Sequence, residues 1–186
     1  MKFLKWALIV IAVLTLLVVF VGMPYMTKQT KKHSLEKTVT YTEQGMNLSV
    51  TYSSPSKKDR VIFGELIPFD RIWRTGANEP TTFTTATNIK IIDKILATGT
   101  YSLWTRPKKD SWSIIFNSEV PEWGVTMMSG GKETTRNPEY DVVEVEVATH
   151  SLSAPQENFT ISFEDEERLN LSLSWDETVV IVPINK

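Results

Sequence analysis

Three arginines and four carboxylates crowd one short stretch of this chain. Residues 57–80 read KKDRVIFGELIPFDRIWRTGANEP, with Arg60, Arg71, Arg74, Asn78 and Glu79 set among Ile62, Phe63, Ile72 and Trp73. Apolar residues at that density cannot all face water, so the segment must dock on whatever core the rest of the chain builds. Docking draws the guanidiniums to the margin of buried surface, where the planar five-donor fork of arginine suits a carboxylate or phosphate. Asn78 offers a hydrogen bond, and Glu79 a general base. Trp73 and Trp104 add flat aromatic faces. The expected ligand-binding set is therefore Arg60, Trp73, Arg74, Asn78, Glu79 and Trp104. A structural role competes with it. In that case the arginines pin an irregular loop through Asp59, Asp70 or Glu79, and Asn78 satisfies turn backbone.

Elsewhere the catalytic vocabulary is thin. The sequence has no cysteine, which removes disulfides, thiolate nucleophiles and Cys-ligated metals. Its two histidines, His33 and His150, stand without sequence partners, and no G-x-S-x-G elbow is present. Gly130-Gly131 lacks the following helix of a phosphate loop. The run Glu164-Asp165-Glu166-Glu167 reads as a solvated turn. No metal and no cofactor is expected. A formal net charge of -2 argues against nucleic acid as a partner, because phosphate binding needs clustered Lys and Arg. Charge is nonetheless segregated: 10 basic and 5 acidic residues lie in 57–109, and 12 acidic and 2 basic in 133–177.

The elements that must position these groups are strands. Val39 and Tyr41; Leu48, Val50 and Tyr52; and Trp112, Ile114 and Phe116 all recur at a period of two. So do Val143, Val145 and Val147; Phe159, Ile161 and Phe163; and Leu169, Leu171, Leu173 and Trp175. Such alternation marks half-buried strands, and turn residues punctuate the chain at about 8–12-residue spacing. The expected fold is an all-β, antiparallel, jelly-roll-like β-sandwich of about 9–10 strands. Two segments, 57–80 and 118–138, fit no period and are expected as long irregular loops. Pro183 suggests an edge or a strand end.

Trp6 to Met23 is an uncharged 18-residue run, flanked by Trp6 and Tyr25 and followed by Pro24. It is expected to span a lipid bilayer through residues 6–23 as an uncleaved signal anchor, since it exceeds the usual signal-peptide core and no small-residue cleavage site follows. Residues 1–26 then form the anchor, 27–37 a polar basic linker, and 38–186 the β-sandwich. Lysines nearly balance across the run; a short leading tail favours placing the domain outside the cytoplasm.

Several motifs together resemble a known family. SVTYSSPSKKDRVIFGELIPFDRIWRTGANEPTTF, then ATGTYSLWTRP, WSIIFN and LSWDETVVIVPI, are similar to the family called domain of unknown function 2911, over Val39 to Ile184. The most specific parts are Arg60 with Ile62-Phe63-Gly64, the run Trp73 to Glu79, and Gly99 to Leu103. The resemblance implies a bacterial envelope protein with an export or anchor segment, and no established reaction. Members usually carry Ser-Arg-Pro where this chain has Ser53-Ser54-Pro55, and a Gly in the turn at Ile91 to Lys94.

The expected function is a non-catalytic, membrane-anchored module binding a small anionic or carbohydrate ligand or an envelope partner protein. The alternatives are a carboxylate-dependent hydrolase using Glu79 or another carboxylate with Arg74, and a purely structural envelope protein.

Overall fold

Alternation places the core. The computed structural model describes residues 2–126 and 129–186. The chain separates into two compact units, Met1–His33 and Ser34–Lys186.

The first unit is helical: α1 (Lys2–Leu17), a π turn (Val18–Gly22) and α2 (Met23–Lys31) run end to end. The π turn has a chemical cause. Pro24 has no N–H to give the carbonyl four residues before it, and the Met23 N–H reaches back five residues to Val18 O. Phe3–Lys31 is long enough to cross a membrane, and its best 18-residue window, at a mean hydropathy of 2.9, is apolar enough. A signal sequence has the same character. Within residues 27–37, α2 ends at Lys31 and the first strand begins at Ser34, leaving Lys32 and His33 between them.

The second unit holds nine strands among the described residues: β1 (Ser34–Tyr41), β2 (Leu48–Pro55), β3 (Thr81–Thr85), β4 (Ile89–Ile91), β5 (Lys94–Leu96), β6 (Gly99–Pro107), β7 (Ser111–Asn117), β8 (Asp141–Asp165) and β9 (Leu169–Asn185). They pair antiparallel in the order β1-β2-β3-β6-β7-β8-β9-β4-β5, and the sheet stays open. The expected antiparallel β-rich fold is present, behind one apolar N-terminal helix.

One long strand makes two layers from one sheet. The first part of β8 pairs with β7, from Asn117↔Asp141 to Ser111↔Ala148. Its second part pairs with β9, from Thr160↔Ser174 to Asp165↔Leu169, after register shifts between Ser151 and Thr160. These irregularities bend the strand. The far half of β8 then meets β2, whose side chains reach its backbone. The Ser54 hydroxyl donates to Phe159 O at 2.7 Å, and the Ile161 N–H donates to the Tyr52 hydroxyl at 3.1 Å. Hydroxyls thus satisfy backbone groups that face no strand.

The core between the layers is the alternating set. Leu48, Val50, Trp112, Ile114, Phe116, Phe159, Ile161, Leu171 and Leu173 are all buried, while Glu144 and Glu146 face water. Pro183 lies past the last β8–β9 pair at Val180, and its carbonyl still accepts the Ile92 N–H at 2.9 Å. Ile92 opens the β4–β5 turn with φ at +59°, a conformation that suits glycine. Its half-buried side chain packs on the core, which offsets that strain.

Near the free end of the sheet, the Tyr41 hydroxyl donates to Asp165 Oδ2 at 2.5 Å, and the Gln44 amide donates to the same oxygen at 3.1 Å. The Asp165 carboxylate holds the Tyr41 phenol protonated, pushing its pKa up to about 12. The folded state therefore binds its proton more tightly than the unfolded chain, so this stabilisation is complete below about pH 10 and is lost as pH rises towards 12. Melting curves of the wild type and Tyr41→Phe should differ by a constant amount from neutral pH to about pH 10. The gap should close above that. A gap that persists or widens at high pH would contradict the assignment.

Candidate functional site

The segment between β2 and β3 docks because it extends the sheet. Asp70 N–H donates to Pro107 O at 2.8 Å and Trp73 N–H to Thr105 O at 2.7 Å, while the Thr105 N–H returns to Trp73 O at 3.0 Å. Residues 70–73 thus run along β6, in line with β3. This pairing sends the Trp73 side chain into the core. Its ring lies 4.9 Å from Phe159, 6.1 Å from Trp112 and 6.4 Å from Phe63, and it stacks on Trp175 at 6.0 Å with the planes 18° apart. Ile62 and Ile67 are buried alongside. Ile72 is only half-buried, since its neighbour Trp73 takes the inward direction.

The residues after Trp73 form a buried knot. The indole N–H donates to Gly76 O at 3.0 Å, closing a tight turn on the ring itself. Thr75, Gly76 and Asn78 take φ values of +56°, +144° and +60°. A β-branched residue at positive φ is a genuine outlier and must be held by its surroundings. The Thr75 hydroxyl reaches Thr105 Oγ1 at 3.2 Å, the Thr81 hydroxyl donates to Thr75 O at 2.5 Å, and the Asn78 amide donates to Ser53 Oγ at 3.3 Å. A Cβ on Gly76 would lie 2.8 Å from Ser53 O, so the loop approaches β2 as closely as only glycine allows.

Arg74 leaves on the side opposite Trp73. Its stem lies across Gly124, where a Cβ would collide with Arg74 Cδ and come within 2.9 Å of Arg74 Cβ. The Gly124 N–H donates to Asn78 O at 3.1 Å, and the Gly124 carbonyl accepts the Thr135 N–H at 3.3 Å. Thus the two irregular loops, 57–80 and 118–138, meet at this glycine. The Arg74 Nε is buried and, among the described residues, has no hydrogen-bond partner. Burial alone pushes its guanidinium pKa down from the ordinary value, and no carboxylate opposes that effect.

Both loops line one concavity of about 630 Å³, within the range of small-molecule sites. Arg60, Arg71, Arg74 and Lys132 stand on its wall; Trp73 and Trp175 contribute from the core side, and Leu66, Ile67, Pro68, Ile72 and Val125 add apolar surface. Arg60 is held by backbone carbonyls, donating from Nε to Lys57 O at 3.0 Å and from a terminal nitrogen to Ser56 O. Among the described residues, none of these four cations forms an ion pair, and neither Asp59 nor Asp70 braces them.

Of the six residues expected at a site, Arg60, Trp73 and Arg74 share the concavity and the other three do not line it. Asn78 is buried beneath the loop against Ser53. Glu79 is half-buried and already has a partner. Trp104 is fully buried on the face of β6 away from the main core, donating to Ser102 Oγ at 2.7 Å. The turn after β7 comes over that face, where the Ser102 hydroxyl donates to Glu119 O at 2.6 Å. Lys132 and Gly124 were not expected here, because nothing periodic ties 118–138 to Arg74.

A family model described as "Protein of unknown function (DUF2911)" matches residues 34–184. The chain belongs to this family. A search of curated proteins found no match, and neither did a search of solved structures. The DUF2911 match spans all but the last two residues of the β-sandwich unit and omits the apolar helix. Most of the Trp73–Glu79 run of this DUF2911 domain serves the fold: it builds the knot, and Arg74 is what the knot carries to the concavity. At Ser54 this chain has a buried hydroxyl joining the two layers.

Gly76→Ala should lower unfolding free energy by about 1–3 kcal/mol, from both the positive φ and the contact with Ser53 O. Denaturant titration checks this, and an unchanged midpoint would contradict the turn's geometry.

Proposed function

We propose that this is a membrane-anchored, non-catalytic binding module, with the Trp6–Met23 helix retained, the domain outside the cytoplasm, and a small anionic ligand held in the concavity. The observation that carries the binding role is Arg74, whose Nε is buried at the concavity with no partner while its guanidinium lacks a counter-charge. A buried donor left unmade costs about 1–3 kcal/mol, more when charged. A carboxylate or phosphate would supply both the acceptor and the opposing charge. Arg60, Arg71 and Lys132 reinforce the preference for an anion, since they too stand without carboxylate partners. Hydrolysis has less support. Glu79 is outside the lining, and Glu133, the only lining carboxylate among the described residues, is exposed to water.

Two outcomes follow. Arg74→Met keeps the stem over Gly124 and removes the uncompensated charge. Its melting temperature should equal or exceed the wild type's, while stabilisation by phosphate or citrate disappears. A large fall in melting temperature would make Arg74 a structural brace. Separately, protease added outside intact spheroplasts should degrade the domain; protection, or a shortened soluble product, would reject the anchored, outward topology.

A further inference from the structure

The wall of the concavity carries two chemistries, and only one of them suits a simple anion. Four cations supply donors, yet Leu66, Ile67, Pro68, Ile72 and Val125 line the same space. Leu66 is 44% exposed, so the apolar surface continues to the open side. An inorganic anion would pair with arginine and leave this surface wet. A neutral sugar needs acceptors as well as donors, and among the described residues the lining side chains offer only Glu133 and Thr134. Resting on the anion-binding proposal above, we infer that the natural ligand is an amphiphilic anion: a carboxylate or phosphate head at Arg74, carrying an apolar body that covers Leu66 and Ile72. The volume of about 630 Å³ accommodates such a body as well as a head group. The same head-and-tail chemistry occurs in a water-soluble acid and in a lipid, and the test separates the two sources.

The full chain in nanodiscs of zwitterionic lipid is titrated calorimetrically with inorganic phosphate, then methyl, butyl and hexyl phosphate, and with hexanol as the uncharged control. Affinity should rise about three- to fourfold per methylene until the concavity is filled. Hexanol should not bind at the site. Leu66→Ser should flatten the rise without changing the affinity for inorganic phosphate, and Arg74→Met should abolish binding of the whole series. Phosphate binding as tightly as hexyl phosphate would overturn the amphiphile and leave the anion site standing. No binding by any phosphate would overturn the anion site itself. Displacement of hexyl phosphate by phosphatidic acid in the disc would assign the ligand to the bilayer, and absence of displacement would assign it to water; both support the amphiphile.

Discussion

An indole packed among other rings still has one N–H to place, and in this protein that requirement organises a whole loop. Trp73 meets Phe63, Trp112, Phe159 and Trp175, which come from the same loop, β7, β8 and β9. Its N–H is answered by Gly76 O, three residues along. The bond folds the chain back over the ring and forces Thr75, Gly76 and Asn78 into left-handed conformations. Such strain persists because the apolar gain from a buried Trp, of the order of several kcal/mol, exceeds it. Arg74 sits between the anchored ring and the strained turn, so it has little freedom over where it emerges. Its position is inherited from the core.

The opposite side of Arg74 is fixed by absence of bulk. Gly124 gives up a side chain so that the arginine stem can cross it, and its backbone ties Asn78 to Thr135. Two long loops thereby share one seam, and the cations they carry face one space. Pre-organisation of this kind leaves a ligand little ordering to do on arrival. It also explains why an unpaired buried donor is tolerated: the knot, and not the arginine, carries the local stability.

Much of this fold can be read from period two. The inward residues of β2, β7, β8 and β9 all alternate in the sequence, and all of them except the half-buried Phe163 are buried. Alternation says which face of a strand is covered, but not what covers the other face. Trp104 shares its parity with Ser102 and Arg106, and it is buried because the turn after β7 lies over that side. Arginine density marked out Arg60 and Arg74. It could not separate Asn78, whose amide is consumed by Ser53, from a residue open to a ligand. Lys132 and Gly124 lie some fifty residues further along an aperiodic loop, and only tertiary docking brings them to Arg74. Hydrogen-bond geometry is what distinguishes a polar residue that builds the loop from one the loop displays.

The central claim concerns one atom, and it can be observed directly. A buried Nε–H exchanges slowly with water, so Arg74 should give a resolved arginine side-chain cross-peak in a nitrogen–proton correlation spectrum of the full chain in nanodiscs, assigned by its loss in Arg74→Lys. Titration with phosphate should move that peak progressively to saturation, as the orphan donor gains an acceptor. A peak that stays in place while the other arginine signals respond would contradict the account, because the anion would then be held elsewhere and Arg74 would owe its position to packing alone.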